Sequence, residues 1–113
     1  MSLRDPKLTL QQMREYAEQA RALAASTTAS DLFQDRRTRL ALERAVSVIG
    51  EAATRLSDAF QQQHPEIPWH QIIGMRNRIV HGYDAVDDEV LWKTAAENVP
   101  KLIRQLDDLI AQL

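Results

Sequence analysis

The sequence predicts an all-α protein, and three observations support that prediction. Its 113 residues include only three glycines, and aromatic residues make up 5% of the chain. Ala, Leu, Gln, Glu and Arg, which favour helices, are abundant. Apolar residues recur at three- and four-residue spacing, and no useful length of alternating strand pattern appears. We therefore predict one domain, residues 1–113, folded as an antiparallel four-helix bundle with an additional short helix or a kinked last helix.

The first half of the chain is predicted to form two helical regions. Residues 9–25 form the first, with a buried stripe of Leu10, Met13, Ala17, Ala20 and Ala24. Residues 26–30 are a polar connection with cap-forming side chains. Residues 31–63 form the second, which can begin with a short turn at residues 32–33 and then presents an apolar face of Leu40, Ala41, Ala45, Val48, Ile49, Ala52, Leu56 and Phe60. Segment 64–68 ends it, because each proline there disfavours helix at the residue before it.

The second half is predicted to form two more helices. Residues 68–81 form the third, since the proline at its start suits a first-turn position. Gly82 suits a left-handed cap at its end. Residues 87–113 form the last helix, which Asp87 can cap. Pro100 lies inside it and predicts a kink or short break in the three residues before it.

Composition excludes several classes of function. Cysteine is absent, which excludes disulfides and thiolate metal sites. No apolar run approaches the roughly 20 residues needed to cross a bilayer, and residues 1–10 lack the apolar core of a signal peptide. The expected location is therefore the cytoplasm. The net charge of −2 argues against a general nucleic-acid coat protein.

Charge is unevenly distributed along the chain. Arginines outnumber acidic residues in the middle: Arg36, Arg37, Arg39, Arg44, Arg55, Arg76 and Arg78. After Tyr83 the balance reverses, with seven acidic residues against three basic ones. A local basic surface can hold a few phosphates on a protein that is not basic overall. Alternatively, most of these arginines are solvated or paired along helix faces.

The densest group of chemically useful side chains lies in residues 76–83, which we call the motif. It contains Arg76, Asn77, Arg78, His81 and Tyr83. An imidazole can transfer a proton near neutral pH, and a guanidinium can hold phosphate oxygens and stabilise developing charge. RNA supplies its own nucleophile, the 2′-hydroxyl, so its cleavage needs no metal. One histidine, one or two arginines and a polar amide therefore meet the minimum that RNA cleavage requires.

The helical period constrains how the motif residues can meet. Asn77 and His81 are four residues apart and share one face, and Arg78 flanks that face. Arg76 precedes His81 by five residues, so the two side chains leave an ideal helix about 140° apart. Arg76 could curl back towards His81, or it could act on the site of a partner subunit across a two-fold axis.

Arg76, His81 and Tyr83 reproduce an R-x4-H-x-Y signature, and the chain resembles HEPN-domain ribonuclease toxins of the HepT type. Two flanking segments, residues 66–75 and 49–53, also resemble that family. The resemblance covers residues 8–112. It implies a HEPN-like bundle that forms a two-fold homodimer with both motifs in one shared cleft. It therefore favours an Arg76 that acts across the axis.

The resemblance also implies a function. It suggests an endoribonuclease toxin of a toxin–antitoxin pair that leaves a 2′,3′-cyclic phosphate and uses no cofactor. Arg76 and His81 are then the expected catalytic residues, and Asn77 and Arg78 are expected to support the RNA phosphate. Its partner would be a nucleotidyltransferase antitoxin that adds AMP to Tyr83. Such phosphates would be drawn to the two arginines of the motif and would occupy the space that RNA needs.

Several alternatives stay open. The chain could be a non-catalytic HEPN partner, or the nucleotide-binding subunit of a nucleotidyltransferase. It could also be a helical dimerisation protein in which His81 is incidental, with Tyr83 packed beneath its loop.

Other singled-out residues have structural interpretations. Trp69 and Trp92 suit a core or a dimer interface better than a base-stacking platform. His64 and His70 are six residues apart across two prolines, which is not the spacing of a metal site.

Overall fold

The computed structural model describes residues 5–81 and 86–113, and its regular elements are helices. The described part of the chain contains no strand, and none of its helices is long and apolar enough to cross a bilayer. In order, the elements are α1 (Pro6–Ala25), α2 (Ala29–Leu32), α3 (Arg36–Thr54), α4 (Asp58–Gln63), α5 (Trp69–His81), α6 (Asp88–Lys93), a π-helical segment (Thr94–Asn98) and α7 (Val99–Gln112). The predicted all-α bundle is confirmed.

Helix α1 forms a large part of the core. It packs against both α3 and α7, while α5 packs against α3. All five apolar residues of its predicted stripe are buried, at 0 or 1% exposure. The indole N–H of Trp92 fixes the far end of α1 by donating to the carbonyl oxygens of Ala24 (3.1 Å) and Thr27 (3.0 Å).

The start of α1 differs from the prediction. The helix begins at Pro6, three residues before the predicted start. The carboxylate of Asp5 accepts a hydrogen bond from the backbone N–H of Lys7 at 2.9 Å. An N-cap carboxylate followed by a proline in the first turn is a strong start signal. The apolar stripe begins later than the helix and therefore gave too short a segment.

The predicted helical region 31–63 is interrupted twice, after α2 and at residues 55–57. Ser57 starts α4 because its hydroxyl accepts a hydrogen bond from the N–H of Phe60 at 3.1 Å. The amide of Gln61 donates to the carbonyl oxygens of Ala53 and Leu56, each at 3.2 Å, and so satisfies groups that the end of α3 leaves open. The apolar spacing continues across this turn, which is why the pattern alone concealed it.

The predicted apolar face of α3 is wrong at its first two positions. Leu40 is 48% exposed, and Ala41 is also exposed, whereas Leu42 is fully buried. Side chains two positions apart in the sequence point about 200° apart around a helix. Leu40 must therefore face away from the core when Leu42 faces it. The remaining predicted positions of α3 are buried.

The end of the bundle confirms the predicted cap and kink. Asp87 caps α6 by accepting a hydrogen bond from the N–H of Val90 at 2.8 Å. The π-helical segment then lies directly before Pro100, which has no N–H to donate to a carbonyl in the preceding turn. A widened turn accommodates that missing bond. Gly82, the predicted cap of α5, lies outside the described residues.

Candidate active site

Helix α5 carries residues 76–81 of the motif on its last two turns and is incompletely buried. Of its 13 residues, only Trp69 is buried. Its other large apolar residues, Ile72, Ile73, Met75 and Ile79, are half-buried, and Val80 is 43% exposed. The protomer therefore covers only part of the apolar surface of the helix that positions the predicted site.

Arg76 lies at a close approach of α5 to α3. A Cβ atom placed on Gly50 would lie 2.3 Å from the Cβ of Arg76 and 3.0 Å from its Cγ. It would also lie 3.0 Å from the carbonyl oxygen of Ile72. We call this contact, formed by Gly50, the Ile72 carbonyl and the Arg76 stem, the Gly50 notch. The stem of Arg76 occupies the space that any other residue at position 50 would fill.

The guanidinium of Arg76 is partly desolvated. Its Nε is buried and has no hydrogen-bond partner among the described residues. Its Nη1 donates to Oδ1 of Asn77 at 2.9 Å. A buried donor without a partner costs about 1–3 kcal/mol, and such groups often mark functional sites. The part of the chain that the structure describes therefore leaves one donor of Arg76 unsatisfied.

His81 is exposed in the last turn of α5. No hydrogen bond joins it to Arg76 among the side chains that the structure describes. The guanidinium instead contacts Asn77, which shares the helix face of His81. The structure thus brings Arg76, Asn77 and His81 to one end of α5 without direct contact between the two predicted catalytic residues.

The two other polar residues of the motif are Arg78 and Tyr83. Arg78 is exposed on α5. It also lines a cavity of about 780 Å³ between α5 and the π-helical segment with α7. Tyr83, the predicted AMP acceptor, lies outside the described residues.

Two glutamates of α3, Glu43 and Glu51, pair with arginines of the same helix. Glu43 lies 3.1 Å from Nη1 of Arg39, and Glu51 lies 3.8 Å from Nη1 of Arg44. Arg39 also donates to Asp88 at 2.5 Å, which joins α3 to α6. That hydrogen bond raises the pKa of Arg39 above its ordinary value. These contacts support structural roles for both glutamates.

Three ring side chains pack together around the start of α5 and support the core. Trp69 is buried and donates from its indole N–H to the carbonyl oxygen of His64 at 2.9 Å. The ring of Phe60 packs between them, with centroids 4.6 Å from His64 and 6.3 Å from Trp69. No group of three or more potential metal ligands occurs among the described residues.

The role of Gly50 is the feature that sequence reasoning missed. An isolated glycine inside a strongly helical pattern signals a close approach of backbones or side chains. That signal was present in the segment 49–53. It does not say which residue approaches, because Arg76 is 26 residues away.

Comparison with known proteins places these features in a family. Residues 13–109 match the family described as Ribonuclease HepT-like. A protein of Thermococcus cleftensis named as a probable ribonuclease HepT is 40% identical over 79 residues, which cover 70% of this chain and 72% of the relative. A protein of Methanocaldococcus jannaschii named as a candidate RNase is 31% identical over 107 residues, 95% of this chain and 98% of the relative.

A third relative, from Caldanaerobacter subterraneus subsp. tengcongensis, is also named as a candidate RNase. It is 31% identical over 80 residues, which cover 71% of this chain and 71% of the relative. No solved structure gave a significant match.

Proposed function

Because this chain belongs to the HepT-like ribonuclease family, we propose that it is a metal-independent endoribonuclease toxin of a toxin–antitoxin pair. The observation that carries the proposal is the end of α5, where a partly desolvated Arg76 and an exposed His81 stand one and a half turns apart. Its site of action is the cytoplasm.

The proposed reaction needs only groups that the motif and the RNA contain. The 2′-oxygen attacks the adjacent phosphorus, and the bond to the 5′-oxygen breaks. The products are a 2′,3′-cyclic phosphate and a 5′-hydroxyl end. The proton of the 2′-hydroxyl must leave, and the departing 5′-oxygen must gain one. His81 moves these protons, a role that typically contributes about 10²–10⁴ in rate.

Arg76 stabilises the charge that builds on the phosphate oxygens during this displacement. Asn77 supports it, because its Oδ1 accepts from Nη1 of Arg76. That contact leaves the amide N–H groups of Asn77 available to donate to the substrate. Arg78 binds a phosphate of the RNA strand from the neighbouring surface of α5.

A homodimer is part of the proposal. The half-buried apolar residues of α5 and the exposed Val80 support a second copy as their cover, since isologous pairs are the commonest assemblies. Two motifs at a shared cleft would place Arg76 of one subunit near His81 of the other. This arrangement explains why the two side chains need not touch within one protomer.

Cleavage of RNA by the purified protein in the presence of EDTA tests the proposal. Activity should be lost in both His81→Ala and Arg76→Ala, and the products should carry 2′,3′-cyclic phosphate ends. His70→Ala is a matched control, because His70 is another exposed histidine of α5. Equal cleavage by the wild type and the His81→Ala variant would point to a contaminating nuclease and remove the proposal.

Neutralisation by AMP addition to Tyr83 is the second part of the proposal. A nucleotidyltransferase antitoxin with ATP should add AMP to the wild-type protein and not to Tyr83→Phe, as measured by intact mass. The modified protein should no longer cleave RNA. Net charge of −2 favours the alternative of a non-catalytic partner. AMP addition to a protein that never cleaves RNA would select that alternative.

A further inference from the structure

We propose that Gly50 is a positioning residue for Arg76, an inference that rests on the catalytic role proposed for this arginine. Position 50 lies in the last turns of α3, on the other side of the contact with α5. Nothing in the motif itself includes it. The geometry of the Gly50 notch nevertheless makes the location of Arg76 depend on the absence of a side chain at that position.

The contacts of the notch involve atoms that cannot easily move aside. The nearest atom to a Cβ at position 50 would be the Cβ of Arg76, at 2.3 Å, and another would be the backbone oxygen of Ile72, at 3.0 Å. Neither belongs to the flexible end of a side chain, so no change of rotamer relieves the clash. The two helices must separate instead, by about 1 Å to reach the ordinary contact distance of 3.4 Å.

Gly74 provides the contrast within the same pair of helices. Among the described residues, a Cβ placed there would have no atom of a neighbouring element within 4 Å. Glycine inside a helix lowers stability relative to alanine, and at Gly74 no contact requires it. At Gly50 the same cost in helix stability is accompanied by a close approach of α5, which only glycine permits. The two glycines therefore have different reasons to be present.

The notch fixes the guanidinium as well as the stem. With Cβ and Cγ held against α3, Nε is buried and Nη1 reaches Asn77. A separation of the helices at this point would release that pose. Displacement of a reacting group by about 1 Å can cost about 10²-fold in rate. Gly50 thus acts on the reaction through Arg76 and without touching the RNA.

The activity test compares Gly50→Ala with Gly74→Ala. We expect kcat to fall about 10²-fold in Gly50→Ala, with KM changed only a few-fold, and we expect Gly74→Ala to keep wild-type kinetics. Wild-type kcat in Gly50→Ala, or an equal loss of kcat in Gly74→Ala, would overturn the proposal.

A second test measures, through thermal stability, whether the side chains at positions 50 and 76 clash, and it needs no RNA cleavage. Gly50→Ala should lower Tm by at least about 5 °C. In an Arg76→Gly background, where the clashing Cβ and Cγ are gone, the same change should lower Tm by less than half as much. Equal losses in both backgrounds would show that the notch does not couple these positions. If the wild type cleaves no RNA, the proposed function fails. The comparison of the two Tm losses would still show whether positions 50 and 76 are in contact.

Discussion

Helices α1 and α5 meet the core to very different extents. Six residues of α1 are buried along its 20-residue length, whereas α5 buries one residue in 13. Both helices pack against α3, but α1 also packs against α7. The apolar stripe of α1 is therefore buried within the chain, whereas most apolar residues of α5 are half-buried. Residues 76–81 of the motif lie on the less buried helix.

The contrast extends to polar groups. The guanidinium of Arg14, on α1, is paired with Asp107 of α7 at 2.7 Å, and that pair raises the pKa of the arginine. On α5, the Nε of Arg76 has no partner among the described residues. One arginine helps to hold the bundle together, and the other keeps a donor unsatisfied. The helix that carries this unsatisfied donor also carries the exposed His81, as expected for the site proposed above.

The largest expected effect is a difference in the free energy of unfolding between substitutions in α1 and in α5. Leu10→Ala should lower the free energy of unfolding by about 2–5 kcal/mol, because the side chain is fully buried. Ile79→Ala should cost less than half as much, since Ile79 is only half-buried. Denaturant unfolding at low protein concentration measures both values. Equal costs would mean that α5 is as fully packed as α1.

The next effect concerns assembly. Val80→Asp should weaken the proposed homodimer at least about 100-fold, because a carboxylate would be buried without a partner. Leu8→Asp is the matched control, since Leu8 of α1 is 60% exposed but lies outside α5. Light scattering at micromolar concentration should find the first variant monomeric and the second dimeric. A dimer that survives Val80→Asp would place the interface elsewhere.

Burial was predicted correctly from the sequence where one helix face follows the helical period. The stripe of α1 follows the helical period without interruption, so all five of its apolar residues were assigned correctly. The kink before Pro100 follows from the chemistry of one residue. The break at residues 55–57 was missed because Leu56 and Phe60 keep the apolar spacing while Ser57 restarts the helix.

The site was less predictable for a different reason. The motif residues could be selected by their chemistry, and their catalytic roles remain predictions. The notch could not be derived, because it depends on the rotation of α5 relative to α3. Periodicity fixes which face of each helix is apolar, but it does not fix which two residues cross at the closest point. That information appears only when both helices are placed.

Arg76→Met sharpens the contrast between stability and function. The variant keeps an unbranched stem in the Gly50 notch and removes the unpartnered Nε. We expect the free energy of unfolding to rise by about 1 kcal/mol while RNA cleavage is lost. Arg76→Ala should not gain stability, because it also removes the packing of the stem. If Arg76→Met proves less stable than the wild type, the desolvated pose described for Arg76 is wrong.

The smallest effect tests whether α3, which both α1 and α5 pack against, begins with a charged cap. Asp35 accepts hydrogen bonds from the N–H and the hydroxyl of Thr38, at 3.1 and 2.6 Å, and the hydroxyl is the main reason why its pKa lies below the ordinary value of 3.8. A carboxyl group with a lowered pKa contributes stability above pH 3.8 and loses it as the pH falls through the lowered value. Asp35→Asn should keep the cap and remove this acid-dependent loss. Unfolding measured between about pH 5 and pH 2 should therefore give a shallower decline for the variant than for the wild type. Identical slopes would mean that the carboxylate of Asp35 is not coupled to folding, and the start of α3 would then depend on backbone packing alone.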